Sequence, residues 1–326
     1  MTGRIAITGA SGFIGAEILR LGLEQGRNCH AILRSDRGVR REGVRVSMVD
    51  LSAPDAEPAL IDALSDVETL IHVAASLSGD WATQQADTIA ASEAVIAAVT
   101  KAGVRRVVLL STIAVYDVTG LPNGGAVTED SPLESHPARR DVYARAKLTQ
   151  EAMFRDAATA GAFELVVLRP GAVYGPDRLM NAHIGPAIGP LLIRLGAGGE
   201  VPLAHVATCA QAALAAADLP LSARWEAINV VDDDLPDRRQ FVDALRRCGW
   251  PRFVLALPRA VLTWPAHLLP DHPSLPGLLR PAIQAARLKP LTYSNKRLHQ
   301  RLGAVTLMPF DRGMRQSIEH SGKAVK

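Results

Sequence analysis

The chain has 326 residues, 48% of them hydrophobic, and a net charge of +3, enough to bury a large core and to divide into one large domain and a smaller appendage. A surplus of three charges makes no basic stripe, and four Tyr, six Phe and four Trp offer little for base stacking, which excludes nucleic acid as an expected partner. Cys29, Cys209 and Cys248 lie far apart with no metal-type spacing, so they read as core or surface thiols of a reducing cytoplasm and predict no metal site. The first strand is expected to start near residue 4, which leaves no room for a cleavable signal peptide. No segment reads as a membrane span. The most apolar late stretch, Phe253 to Leu269, is interrupted by Pro258, Arg259, Pro265 and His267 and is expected to form a buried or pocket-lining helix pair.

Along the chain, apolar runs of strand length alternate with helical patterns. Strands are expected near 4–8, 28–33, 44–49, 69–74, 106–111 and 165–169, and helices over 13–26, 55–65, 86–102 and 141–161. That alternation predicts an α/β fold, a doubly wound parallel sheet of the Rossmann type covered on both faces. After Pro170 the rhythm breaks, prolines cluster from 251 to 290, and one further strand is expected at Ala227–Val231. Residues 1–170, with 205–231 returning to them, are read as a dinucleotide-binding domain. Residues 171–204 and 232–326 are read as a smaller, mainly helical C-terminal substrate cap over the edge of the sheet where such folds bind ligands. The basic tail from Lys323 is expected to fray.

Residues 8 to 15 read TGASGFIG, directly after the first apolar run and before a helical pattern. Gly9, Gly12 and Gly15 would let backbone N–H groups and the helix N-terminus approach a pyrophosphate with no Cβ atoms in the way, and Ser11, Phe13 and Ile14 share that turn. At the end of the second strand an acidic residue would bind the ribose 2′-OH of NAD. This chain has Arg34 there, followed by Ser35, Asp36 and Arg37, which suits the 2′-phosphate of NADP, although a solvated loop arginine would look the same. Asp50 and Leu51 close the third strand as a candidate adenine edge. His72, Val73, Ala74 and Ala75 close the fourth, where small residues admit a dinucleotide close to the backbone.

Tyr143 and Lys147 stand four apart at the start of a helix and share a face. A phenol ordinarily titrates near about 10, and a neighbouring ammonium favours the phenolate, bringing tyrosine toward the range useful for proton transfer. The spacing alone is that of any helix-surface pair. Its context adds meaning: upstream lies the strand VVLL followed by Ser111 and Thr112, and downstream VVLRPGAVYGP runs from 166 to 176, with Pro170 and Val173 counted among the cofactor-lining residues.

TGASGFIG, HVAA, STIAVY, YARAK and LRPGAVYGP, in that order and spacing, resemble the extended short-chain dehydrogenase/reductases, also called NAD-dependent epimerase/dehydratases. The likeness covers residues 4 to about 176 and continues more weakly through PLAHV at 202–206, AINVVDDD at 227–234 and LTYSNKRLHQRLG at 291–303. It implies that Tyr143 is the catalytic acid/base, Lys147 its ribose-binding partner and Thr112 the hydroxyl that orients the substrate oxygen. Ile113 and Ala114 stand where the family's dehydratases carry an Asp-Glu pair, which argues against sugar dehydration. Val201, Pro202, Leu203 and Ala204 precede His205 without the family's diphosphate-gripping arginine, a role left to Arg178 or Arg194. His205 itself reads as a packing residue. Thr88, after Asp87, replaces the family's usual Asn and puts its proton relay in doubt.

The stretch Ile184 to Leu195, mostly Gly, Pro, Leu and Ile, reads either as an apolar pocket wall or as a core helix. The combined reading is an NADP-dependent oxidoreductase, nearest the dihydroflavonol-reductase and hydroxysteroid-dehydrogenase side of the family. It would pass hydride between nicotinamide and a carbonyl or secondary alcohol of a fairly apolar small molecule. A nucleotide-sugar epimerase using the same three residues is the second reading, and a non-catalytic NADP-binding sensor or complex subunit the third. The Ala-rich stretch 86–102 could pair two copies as a homodimer or face its own core.

Overall fold

The computed structural model describes residues 3–35, 43–76, 79–268, 272 and 275–320. Asp36, Arg37 and the tail from Lys323 lie outside them. The first half runs β1 (Arg4–Thr8), α1 (Phe13–Glu24), β2 (Cys29–Leu33), β3 (Arg45–Met48), α2 (Ala56–Ala63), β4 (Val67–His72), α3 (Trp81–Gln84), a π-helical turn Gln85–Ala90, α4 (Ala91–Ala102), β5 (Arg106–Leu110), β6 (Ala126–Val127), α5 (Val142–Thr159) and β7 (Glu164–Pro170). The second half runs β8 (Ala172–Tyr174), β9 (Ala187–Ile188), β10 (Leu191–Leu195), β11 (Leu203–His205), α6 (Val206–Ala217), β12 (Trp225–Val230), α7 (Arg238–Arg246), β13 (Phe253–Leu257), α8 (Ala260–Leu268), α9 (Pro281–Leu288), β14 (Thr292–Tyr293), α10 (Lys296–Arg301) and α11 (Phe310–His320).

Seven strands form the central sheet in the order β12-β7-β5-β4-β1-β2-β3, and every neighbouring pair is parallel. Central strands buried on both faces need unbroken apolar runs rather than alternation, and all five residues of β5 are buried. One apolar cluster joins α1 and α6 to one face of the sheet. A second joins α2, α4 and α5 to the other, with Val95, Ala98 and Val99 of α4 turned into it. Truncating fully buried Leu70 or Leu109 to Ala costs about 2–5 kcal/mol. The strand order reverses between β1 and β4, so the loops after those strands part and leave a crevice at their C-terminal ends.

Two segments differ from the expectation. Leu191–Leu195 pairs in parallel with Phe253–Leu257, and with Ala187–Ile188 completes a three-stranded sheet in place of the helices read there. Only α8 of the expected Phe253–Leu269 helix pair forms. Five-residue apolar runs fit a buried helix and a strand equally well, and the partner strand that decides between them lies far along the chain. The helix read over 86–102 begins instead with the π turn, a wider coil whose extra residue re-aims the side chains it carries.

Candidate active site

A cleft of ≈ 750 Å³ lies over the C-terminal ends of the central strands. Its first wall is the glycine turn. Gly9 has φ 68°, a left-handed conformation that disfavours L side chains, and a Cβ there would sit 3.0 Å from the Ala74 backbone nitrogen. Gly12 caps α1 without a side chain, leaving the first N–H groups of the helix for a ligand. A Cβ on Gly15 would lie 2.2 Å from the Gly9 carbonyl oxygen. Gly15 does not border the cleft; its missing Cβ lets helix and turn approach each other.

Every other residue read as cofactor-binding borders this cleft: Gly9, Ser11, Gly12, Phe13, Ile14, Arg34, Asp50, Leu51, Ala74, Ala75, Tyr143, Lys147, Pro170 and Val173, as does Thr112. Arg34 is exposed at the end of β2 with no ion-paired carboxylate among the described residues. Hydrogen bonds from the Ser52 hydroxyl and N–H hold the Asp50 carboxyl below its ordinary range, with a smaller contribution from Arg34. The stretch Ile184–Leu195 lines none of the cleft, since Ile184 and Leu192 are buried in the cap's own core. His205 lies outside it too, capping α6 and packing edge-on against Tyr174.

The end of the cleft that holds Tyr143 and Lys147 is built by α5. Asp141 accepts a hydrogen bond from Ala144 N–H at 2.9 Å and starts the helix, which sets Tyr143 in its first turn and Lys147 one turn on. The Thr112 hydroxyl beside it favours the phenolate of Tyr143, yet burial outweighs this and pushes the phenol up to about 12. Ser111, the neighbouring hydroxyl, is committed elsewhere, donating to Glu151 Oε2 at 2.7 Å. Glu151 is in turn ion-paired with buried Arg169. Burial drives the Lys147 amine down to about 7, against the opposing pull of Glu151.

Lys147 Nζ donates to Leu110 O and to Gln150 Oε1, each at 2.8 Å. Gln150 Nε2 donates to Ser92 Oγ at 2.9 Å, and Ser92 Oγ to Thr88 O at 2.5 Å. Gln150 Nε2 also approaches His72 Nε2 at 3.4 Å, and His72 Nδ1 meets Thr8 Oγ1 at 2.8 Å. Thr8 Oγ1 accepts the N–H groups of Val73 and Ala74. Burial holds His72 neutral, its pKa lowered to about 3. A continuous buried chain of polar groups therefore joins the lysine to the Ala74 wall. Thr88 serves it from the π turn, with its hydroxyl bonded to Gln84 Oε1 and to Ser76 N–H.

The sequence reading missed Gln150, and also Arg140, Ala286 and Arg287 on the cap side of the cleft. Arg140 directly precedes the legible helix cap, but Ala286 and Arg287 arrive on α9 from far along the chain with no local signal. Arg287 pairs with Asp141 at 3.1 Å, and Arg178 lies over the Phe13 ring at 4.9 Å. Among the described residues no cluster has the makings of a metal site, and no helix is long and apolar enough to cross a membrane.

Comparison with known proteins adds the family. Cinnamoyl-CoA reductase 2 of Arabidopsis thaliana is 29% identical over 185 residues, 53% of this chain and 55% of that protein. UDP-glucose 4-epimerase of Azospirillum brasilense is 28% identical over 182 residues, 53% and 50% respectively. The chain thus spans about half the length of the curated relatives it matches. Among solved structures, MoeE5 in complex with UDP-glucuronic acid and NAD is similar with a TM-score of 0.74 and 21% identity, covering 99% of this chain and 100% of that one. UDP-glucose 4-epimerase of Thermus thermophilus in complex with NAD gives 0.73 and 20%, with 99% and 100% covered. At such identities the likeness is one of fold. The profile of the NAD-dependent epimerase/dehydratase family matches residues 5–230, from β1 through β12, and the chain belongs to that family.

Proposed function

We propose that this protein is an NADP-dependent oxidoreductase of the extended short-chain dehydrogenase/reductase type, acting on a carbonyl or secondary alcohol of a fairly apolar small molecule. The observation that carries the reading is the convergence of Thr112, Tyr143 and Lys147 on the same cleft as the bare glycine turn. A nicotinamide dinucleotide, when bound, supplies hydride donor and acceptor at C4 of its ring. The turn fits that group: a Cβ at Gly9 would crowd the Ala74 backbone, and the uncapped N–H groups of α1 suit its pyrophosphate. Arg34, with no ion-paired carboxylate among the described residues, favours the 2′-phosphate and so NADP over NAD.

Tyr143 hands a proton to the substrate oxygen or takes one from it, and Thr112 orients that oxygen. A phenol at about 12 keeps its proton at neutral pH, which favours donation to a carbonyl and hence the reductive direction. Lys147, with two N–H groups engaged by Leu110 and Gln150, keeps its third for a ribose hydroxyl. Ile113, Ala114, Ala172, Val173, Ala182 and Ala286 give the cleft its apolar surface, in place of the Ile184–Leu195 wall.

Arg178 and Arg287 on the cap side favour a second reading, a nucleotide-sugar epimerase, because guanidinium groups grip diphosphates. One assay separates the two. Purified protein with NADPH and a panel of apolar ketones is expected to consume NADPH, and Tyr143→Phe to slow that consumption by about 10²–10⁴. Dinucleotide that stays bound through purification and is never consumed, together with interconversion of UDP-sugars, would establish the epimerase instead.

A further inference from the structure

The cap carries an apolar face that none of the described residues covers. Ile188 pairs with Leu191, Leu191 with Phe253, and Ile193 with Leu255, so these side chains form cross-strand rows on one side of the β9-β10-β13 sheet. Val254, pointing the other way, packs into the cap core. Two residues beyond β13, α8 sets Val261, Trp264 and Leu268 three and four apart, on one helix face. Ile188, Phe253, Leu255, Val261, Trp264 and Leu268 are between 47% and 80% exposed, a density of large apolar side chains that single-copy soluble proteins rarely show to water.

Charge selects the occupant. Residues 185–196 and 250–268 contain no Asp or Glu, and Arg252 and Arg259 stand at the two ends of β13, whereas Arg194, paired with Ala256, is on the opposite side of the sheet with Leu192 and Val254. None of the three arginines has a carboxylate partner among the described residues; Arg259 reaches only Asn123 Oδ1, at 3.4 Å. A twofold contact between copies would set Arg252 and Arg259 against their counterparts with no acid in these segments to pair them. A bilayer interface satisfies both features: aliphatic side chains and Trp264 settle at the boundary of headgroups and acyl chains, and Arg252 and Arg259 meet anionic headgroups. We propose that this face docks the protein peripherally on an anionic membrane surface. No helix among the described residues spans a membrane, so the attachment is shallow and reversible. The docked face adjoins the cleft, since Thr263 of α8 is hydrogen-bonded to Gln284 of α9, and α9 carries Ala286 and Arg287 to the cleft wall.

The docking stands on this face alone and not on the substrate or cofactor assigned above. It is tested by co-sedimentation of the full chain, without dinucleotide or substrate, with vesicles of phosphatidylcholine alone or mixed with phosphatidylglycerol. Binding is expected to the mixed vesicles, to weaken with added salt, and to fall by more than about tenfold in Trp264→Glu and in Phe253→Asp. Arg252→Ala and Arg259→Ala should each lose roughly fivefold on the anionic vesicles and nothing on the neutral ones. Each substituted side chain is substantially exposed or at the surface, and unchanged thermal midpoints will show that the variants fold. Wild type left in the supernatant with every vesicle, or wild type and Trp264→Glu binding alike, overturns the proposal. A dimer in light scattering that Trp264→Glu dissolves also overturns it, naming a second copy as the occupant.

Discussion

The two sides of the cleft are built differently. On the sheet side, the lining comes from backbone and small residues: the Gly9 turn, the first N–H groups of α1, and Ala74 and Ala75 after β4. Their positions follow from parallel strand register and the bonds from Val73 and Ala74 N–H to Thr8. On the cap side, long side chains reach in from separate places, Arg178 from the turn after β8 and Arg287 from α9. A wall of backbone has few ways to adapt, whereas a wall of side chains can be re-cut without disturbing the core. The rigid side is thus suited to hold cofactor and chemistry, and the adaptable side to set substrate choice.

That contrast yields graded expectations. The largest effect belongs to Tyr143→Phe, which removes the proposed proton donor and should lower turnover by about 10²–10⁴ while dinucleotide fluorescence titrations stay unchanged. Undiminished turnover would move the chemistry away from α5. Gly15→Ala forces a backbone rearrangement against Gly9 O and should destabilise by about 1–3 kcal/mol in urea unfolding, with weaker dinucleotide binding as well. A neutral result would show the sheet side to be more pliable than its packing implies. Arg34→Ala should weaken NADPH binding by about 10- to 100-fold and leave NADH alone; equal affinities in the wild type would remove the case for NADP.

The sheet side also carries a pH signature. His72 is neutral when folded, with its pKa lowered to about 3 from 6.5. Between those values the unfolded chain binds the extra proton, so the stability His72 contributes is complete above 6.5 and lost as pH falls toward 3, at about 1.4 kcal/mol per pH unit. His30, lowered to about 4 by burial, acts in the same window, as does His183 on the cap side. The expected readout is therefore the difference between wild type and His72→Asn in denaturation at successive pH values. The smallest effect is reserved for the cap. Arg287→Ala breaks a partly exposed pair with Asp141 and should change stability by less than about 1 kcal/mol, while altering substrate KM. A large loss of stability there would erase the distinction between the two walls.

Much of the rigid side is legible in the sequence because its determinants are local. A glycine turn between a strand and a helix, the unbroken VVLL of β5, and Asp141 placed to cap α5 ahead of Tyr143 and Lys147 each report on their immediate neighbours. Gly15 shows the limit even there: the motif marks it, but only the structure shows that a Cβ would come within 2.2 Å of Gly9 O. Gln150 carries no pattern at all. Its importance arises because α5 turns it toward Lys147, Ser92 and His72, and the last two come from other elements.

By itself, then, the order of motifs determined the family, the doubly wound sheet and the candidate reactive side chains, since local spacing dictates turns, caps and helix faces. Tertiary structure alone decided that Leu191–Leu195 and Phe253–Leu257 become paired strands, that Arg287 returns to the cleft, and that Lys147 is anchored through Gln150 to Ser92 and His72. The physical reason is common to all three. Each depends on a partner distant in sequence, and an apolar run or a lone polar residue carries no mark of the surface it will meet.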